Sequence, residues 1–245
     1  MILTKILVFI QILSLAIGQV NTESMRNQNQ NLGINHQLNL AFSYISGSST
    51  FLMFNGNYRL DYLFDNKWHG FIVINHDRAH EKSEKAFNNR AFIHLRALNH
   101  FKENIYIESF LQKEYNYFID LKNRELLGGG LRFNPINELY IGIGAMNEVE
   151  KYQYSSKEHV NLKSTNYINH KFEQNEFISI QNVIYFQFES TNLNHYRILW
   201  DGNINFKASN KISFNLNLNF RYDMSEINPN GNSYFELTNG LIFYF

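Results

Sequence analysis

Residues 237–245 read LTNGLIFYF, and this closing stretch raises the question of what environment its apolar side meets. Alternating residues share one side, and the odd-numbered side is apolar apart from Asn239: Leu237, Leu241, Phe243 and Phe245. A period of two residues is the spacing of a β-strand. We therefore expect the chain to close on an amphipathic strand whose last side chain is an aromatic ring.

The composition excludes several classes of site. The chain has 245 residues, no cysteine, and 22 basic side chains against 22 acidic ones. Without a thiol there is no disulfide framework, no thiolate metal site and no catalytic cysteine. The balanced charge does not favour a nucleic-acid partner. We predict no cofactor and no metal.

The N-terminus has the pattern of an export signal. Residues 1–18 read MILTKILVFIQILSLAIG, an apolar run after Lys5 that ends on small residues at Ala16 and Gly18. This pattern predicts a secretory signal peptide over residues 1–18, the alternative being an uncleaved membrane anchor. Residues 19–33 form a polar segment, and residues 34–245 the folded domain. No apolar run of even ten residues follows the signal, so a membrane role would have to use strands.

From residue 34 onward the chain alternates apolar and polar residues. In residues 212–221, ISFNLNLNFR, the even positions are apolar and the odd positions are Ser, Asn or Arg. Twelve such segments predict twelve strands: 34–45, 51–64, 67–78, 87–98, 103–115, 122–133, 138–150, 161–172, 177–188, 195–207, 211–222 and 233–245.

Short and long connections alternate along the chain, as in outer-membrane barrels with short periplasmic turns and longer external loops. An even strand number places both chain ends in the periplasm. The soluble alternative is a β-sandwich or a lipocalin-like barrel with its apolar side inward. The membrane barrel is favoured because the polar side lacks a dense Lys/Glu coat and because aromatic residues lie towards strand ends. We predict an all-β, antiparallel transmembrane barrel of about 12 strands in the outer membrane of a Gram-negative-type bacterium.

One block of sequence resembles a known family. It runs from Asn88 to Phe133, NNRAFIHLRALNHFKENIYIESFLQKEYNYFIDLKNRELLGGGLRF, with ISGSSTF and EKSEK upstream. The order of these features resembles the uncharacterised salt-induced outer-membrane protein family. The resemblance implies an outer-membrane barrel without an established activity. It also implies that Phe243 and Phe245 act as the signal that the barrel-assembly machinery recognises.

If the apolar sides face lipid, the polar sides line a lumen. The predicted lumen charge cluster contains Arg90, His94, Arg96, Glu108, Glu114, Arg124, Arg132 and Glu148. Turn positions predict that His94 lies opposite Glu108, and that Arg124 lies between Glu114 and Glu148. We expect the later strands to contribute mainly amides, beside Arg197 and Asp201. Such a cluster either cross-links the wall or orders solutes in a pore, and balanced signs favour the structural role.

Three other motifs are weak. LLGGGLRF lacks the Lys-Ser/Thr and the helix of a phosphate loop. His76 and His80 have the spacing of a helical metal site, but we place them across a strand end and a loop. Ser164 and His170 share one strand but lie about 20 Å apart at roughly 3.3 Å per residue, too far to form a hydrolase pair.

The leading hypothesis is a narrow passive channel for small polar solutes, or an envelope protein of osmotic stress. One alternative is a closed structural barrel whose external loops bind lipopolysaccharide, through Lys82 and Lys85, or a partner. The other is an outer-membrane hydrolase with its site at the rim. Expected partners are outer-membrane lipid, lipopolysaccharide and, during biogenesis, the barrel-assembly machinery.

Overall fold

The computed structural model describes residues 32–46, 50–64, 67–81, 88–224 and 232–244. These residues form twelve strands: β1 Gly33–Ser46, β2 Thr50–Leu63, β3 Trp68–Glu81, β4 Asn88–Lys102, β5 Ile105–Asn116, β6 Leu121–Ile136, β7 Leu139–Tyr152, β8 Glu158–Glu173, β9 Ile178–Glu189, β10 Tyr196–Lys207, β11 Ile212–Met224 and β12 Asn232–Tyr244. The predicted signal peptide, residues 19–31, Lys82, Lys85 and Phe245 lie outside the described residues.

Each strand pairs antiparallel with the next, and β12 pairs with β1 to close a barrel. The closing ladder joins Gln37–Leu40 to Leu241–Tyr244. The predicted all-β barrel of twelve strands is therefore confirmed. In the described part of the chain the only helical segment is a 3₁₀ turn at Tyr117–Ile119, and no helix there is long and apolar enough to cross a membrane.

The connections differ between the two ends of the barrel. At the first, here called the short-turn end, the connections that the structure describes in full are residues 103–104, 137–138, 174–177 and 208–211. At the opposite end, here called the long-loop end, they are residues 117–120, 153–157 and 190–195. Asn104 (φ 61°) and Glu138 (φ 68°) adopt the left-handed conformation, and a register shift lies beside each turn, as in hairpins where a type I turn is followed by a left-handed residue and a β-bulge. These two hairpins lie later in the chain than the predicted turns at 99–102 and 134–137.

The two faces of the wall have opposite chemistry. Large apolar side chains are exposed on the outer face, among them Phe42, Trp68, Leu127 and Ile143. Inward-facing side chains include buried charges such as Arg59 and Glu148. A soluble barrel would have its apolar face inside, whereas a closed barrel in lipid needs the reverse, with every backbone group paired between strands. The described residues therefore form a membrane-spanning barrel.

Candidate functional site

A ring of buried charge lies inside the barrel towards the long-loop end. Even-numbered strands begin at this end and odd-numbered strands finish there, so these groups come together although they are far apart in sequence. The members, here called the charge ring, are Asp77 on β3, Arg90 on β4, Glu114 on β5, Arg124 on β6, Glu148 and Glu150 on β7, Lys163 on β8, Glu189 on β9, Arg197 on β10 and Asp223 on β11.

The sign of the charge ring alternates from strand to strand. Every even strand from β4 to β10 contributes a cation, and every odd strand from β3 to β11 contributes one or two carboxylates. Five oppositely charged pairs lie directly opposite each other in the ladders: Asp77 with Arg90, Glu114 with Arg124, Arg124 with Glu150, Lys163 with Glu189, and Arg197 with Asp223. Because like charges at such positions repel, the alternation stabilises the wall.

Arg124 is the most extensively paired cation between adjacent strands. Its guanidinium forms ion pairs with Glu114 and Glu150, with 2.7 Å from Nε to Oε1 of Glu150. Glu148 Oε2 lies farther away, 3.8 Å from Nε. The planar fork of arginine can satisfy two carboxylates at once, which a lysine ammonium cannot do in the same geometry.

Two cations of the ring reach across the lumen in addition to pairing along the wall. Arg197 on β10 contacts β7, with Nη1 2.7 Å from Glu148 Oε2 and Nη2 3.1 Å from Glu150 Oε1. Arg90 on β4 reaches Glu236 on β12, at 3.3 Å. These two contacts bridge the lumen at the level of the charge ring.

A second group of charges lies towards the short-turn end. Asp61 accepts from Arg59 at 2.5 Å and lies 2.8 Å from His69 Nε2. Further along the same wall, Glu108 on β5 lies 3.6 Å from Arg96 on β4 and accepts a hydrogen bond from Tyr167 on β8 at 3.1 Å. Two guanidinium groups lie over aromatic rings. The distance from the guanidinium carbon to the ring centroid is 3.9 Å for Arg59 over Phe71 and 3.8 Å for Arg132 over Tyr140. Cations are thus paired with both carboxylates and π faces here.

The structure places all eight residues of the predicted lumen cluster on inward faces. Two predicted pairings are wrong. His94 lies opposite Gln112, to which it is hydrogen-bonded at 3.0 Å, and not opposite Glu108. The second carboxylate directly opposite Arg124 is Glu150, not Glu148. The hairpins at 103–104 and 137–138, which lie later in the chain than predicted, cause both errors. They shift the register by an even number of residues, so each side chain keeps its predicted face but has a different partner.

The expectation that later strands contribute little charge is also wrong. β8 to β12 supply buried charges that the sequence reasoning missed: Lys163, Glu189, Asp223 and Glu236. The signal was available, because each of them has inward parity and lies near the long-loop end of its strand. The amides are concentrated towards the short-turn end, where Asn203 bonds Asn217 and Gln181 bonds Asn169.

The other motifs lie within strands of the barrel wall. Gly128–Gly130 lie within β6, followed by further strand. His76 and His80 both lie within β3, so the predicted position across a loop is wrong. Ser164 accepts a hydrogen bond from Asn166 on the outer face of β8. Within the described residues no three His, Asp or Glu side chains are grouped to hold a metal ion.

Comparison with known proteins finds similarity in the fold and not in the sequence. Among solved structures, the translocator domain of the autotransporter NalP from Neisseria meningitidis matches with a TM-score of 0.51 at 8% identity, covering 91% of this chain and 92% of that one. The KdgM porin matches at 0.48 and 10% identity, covering 86% and 98%, and the NanC porin at 0.48 and 9%, covering 86% and 99%. No protein-family model and no curated protein matches the sequence.

A closed, antiparallel barrel with an apolar exterior, a charged interior and short turns at one end is the architecture of outer-membrane β-barrel proteins. The protein belongs to this structural class, and the outer membrane is its location.

Proposed function

We propose that the protein is a narrow passive channel for small polar solutes across the outer membrane. The observation that carries this proposal is the charge ring, a hydrophilic layer of the lumen lined by every strand from β3 to β11 inside a wall with an apolar outer face. In an eight-stranded barrel, side chains fill the interior, whereas a barrel of sixteen or more strands leaves a wide aqueous channel. A twelve-stranded barrel lies between these sizes. A narrow path bordered by paired charges suits water and small polar solutes.

The excess of carboxylates favours cations over anions within this class. Among the described residues, the inward-facing carboxylates exceed the inward-facing cations by ten to nine when the partly buried Arg90 and Lys171 are included. The carboxylates are Asp61, Asp77, Glu108, Glu114, Glu148, Glu150, Glu189, Asp201, Asp223 and Glu236; the cations are Arg59, Arg90, Arg96, Arg124, Arg132, Lys163, Lys171, Arg197 and Arg221. Since most are paired, we expect a weak preference for cations.

The second candidate is a closed structural barrel, and a specific observation favours it. Arg197 bonds to β7, Arg90 to β12 and Tyr167 to β5, so the lumen is bridged in three places. Fully paired bridges of this kind stiffen a wall. In this case the function would rest on the external loops, which we would expect to contact lipopolysaccharide or a partner.

Family membership and the remaining partners stay predictions. They are membership of the salt-induced outer-membrane protein family, contact with lipopolysaccharide, and recognition of the C-terminal aromatic residues by the barrel-assembly machinery. We propose that the protein is not an enzyme. A rim hydrolase would need a serine and a histidine side by side, whereas Ser164 and His170 lie at separate positions on the outer face of β8.

The test is single-channel conductance of the refolded mature protein in a planar bilayer. We compare wild type with Arg124→Ala and Arg197→Ala, using a heat-modifiable band on an SDS gel to show folding. A channel predicts steady openings, with larger conductance and stronger cation preference in Arg197→Ala, because a cation that bridges the lumen has been removed.

The matched control is Lys113→Ala. Lys113 is 65% exposed on the outer face and pairs with Glu125, so this variant loses the same charge without changing the lumen. Its conductance should equal that of wild type. Inserted protein that stays silent in all four forms would reject the channel in favour of the closed barrel.

A further inference from the structure

Four oxygen atoms on the wall formed by β10, β11, β12 and β1 are shut off from solvent and have no hydrogen-bond partner within the described part of the chain. They are Oδ1 of Asn39, Oδ1 of Asn205, Oγ of Ser213 and Oδ1 of Asn215. The side chains of Ser213 and Asn215 are each only 1% exposed. A buried acceptor without a donor is rare in native proteins and destabilises them, so four together require a physical explanation.

The four oxygens belong to two adjacent rows of the barrel wall. In one row Asn215 lies between Asn205 and Gly240, each directly opposite it. In the next row Ile242 lies opposite both Ser213 and Asn39. The oxygens therefore form one patch, close to the short-turn end and to the ladder that closes the barrel.

Gly240 lies between two of these oxygens. A Cβ atom built on Gly240 would lie 2.9 Å from Asn39 Oδ1 and 3.1 Å from Asn215 Oδ1. The two amide oxygens thus lie close over the Cα atom of Gly240 from the two neighbouring strands, and a side chain at this position would crowd both of them.

Neighbouring amides on the same wall show that this is not a general property of the amide-rich region. Asn203 and Asn217 bond to each other one row away, and Gln181 bonds Asn169 two strands further round the barrel. Of the five buried side-chain oxygens without a partner in the described residues, four lie in the patch around Gly240, and the fifth, Oε1 of Gln187, lies on β9 near the long-loop end.

We infer that these four oxygens form a binding site for a small monovalent cation such as Na⁺ or K⁺. Amide and hydroxyl oxygens are ligands of hard cations, and rings of neutral oxygens replace the hydration shell of monovalent ions in membrane pores. The ligand set contains no carboxylate, so it lacks the negative charge that a divalent ion usually requires.

The charges around the patch permit a cation. Lys207 is opposite Ser213 in the ladder but is exposed at the end of β10, where water screens it. The site goes beyond the proposed channel, since a bound ion can stabilise the wall whether or not ions pass through the lumen.

The experiment measures the urea unfolding midpoint of the refolded mature protein in NaCl, KCl and choline chloride at equal ionic strength. A ligand that binds only the folded state stabilises it, so wild type should unfold at higher urea in NaCl or KCl than in choline chloride. In Asn215→Leu this difference should vanish. The same loss is expected for Gly240→Ala, whose methyl group would crowd the two amide oxygens.

Asn217→Leu is the matched control, because it removes an amide of the same wall that already has a partner. It should unfold at lower urea in every salt while keeping the difference between Na⁺ or K⁺ and choline. Broadening of the ²³Na resonance by wild type, reversed by excess K⁺ and reduced in Gly240→Ala, would support the site directly.

Equal midpoints of wild type in all three salts would overturn the proposal, as would an Asn215→Leu variant that keeps the salt difference. Failure of the channel would show separately, as silence in the bilayer with an intact salt effect.

Discussion

At the scale of single residues, the interior depends on arginines that each satisfy more than one carboxylate. Arg124 joins β5 to β7, and Arg197 joins β10 to both β7 and β11. All of these groups are almost fully buried. Removing one partner from such a set leaves charges buried without compensation, which is far more costly than losing an exposed ion pair.

Arg124→Ala is therefore expected to lower the free energy of unfolding by about 3–5 kcal/mol, because Glu114 and Glu150 lose their shared partner. Arg124→Lys should fall between this variant and wild type, since one ammonium cannot reproduce the fork. Urea unfolding of the refolded barrel, followed by tryptophan fluorescence, measures both.

Lys113→Ala removes an exposed ion pair and should change the free energy of unfolding by only about 0.2–1 kcal/mol. If Arg124→Ala were as mild as this control, the buried ion pairs would not be stabilising the wall.

At the scale of strands, β7 carries glycines where neighbouring side chains need space. A Cβ atom on Gly142 would lie 2.0 Å from the ring of Tyr167, so this ring lies directly over the glycine. From that position Tyr167 donates its hydrogen bond to Glu108. The glycine on one strand thus permits a contact across the lumen from the next.

Gly142→Ala is expected to destabilise the barrel by about 1–3 kcal/mol, because the added methyl group displaces the Tyr167 ring. Gly70→Ala on β3 is the control: its new Cβ would have only Arg96 O nearby, at 3.9 Å. This control should be neutral or stabilising by about 0.4–1 kcal/mol.

A double-mutant cycle identifies the cause of the Gly142→Ala effect. If the clash with the ring is responsible, the substitution should cost much less when Tyr167→Ala is already present. An unchanged cost in that background would contradict this account of the glycine.

At the scale of the whole molecule, closure depends on the ladder between β1 and β12. This ladder covers only Gln37–Leu40 and Leu241–Tyr244, whereas β1 and β2 pair from Gly33–Leu63 to Ser46–Thr50. Closure removes the sheet edges that lipid could not satisfy. The first and last strands are therefore the most informative place to test the topology.

Leu38→Cys combined with Phe243→Cys should form a disulfide on mild oxidation, because these residues lie directly opposite each other. Paired Cα atoms in antiparallel strands are about 4.5 or 5.5 Å apart, within the range that a disulfide spans. Since the natural chain has no cysteine, mass spectrometry reads out the cross-link without background.

The matched control combines Leu38→Cys with Phe214→Cys, which lies one strand further round the barrel, opposite Leu241. It should remain reduced under the same conditions. A cross-link in the control but not in the first pair would mean that β12 does not close the barrel against β1.

Much of this architecture could be predicted from local pattern. The twelve segments correspond to the twelve strands, and the inward parity of residues such as Glu108, Arg132 and Glu148 agrees with the structure, because side-chain alternation is local to each strand. Pairing was harder to predict. The pairing of Glu114 with Arg124 is predicted and observed, whereas the predicted pairing of His94 with Glu108 is wrong. Register depends on the exact position of each turn, and the sequence pattern does not reveal that Asn104 is the left-handed residue of its turn.

The sequence by itself determined the strand number, the face on which each side chain lies and the exclusion of thiol chemistry, since these follow from composition and from a period of two residues. Only the tertiary structure decided which charges meet, that Arg197 crosses to β7, and that four oxygens around Gly240 lack donors. The physical reason is that an even slip in register preserves each face but exchanges every partner, and contacts across a lumen exist only after the sheet has closed.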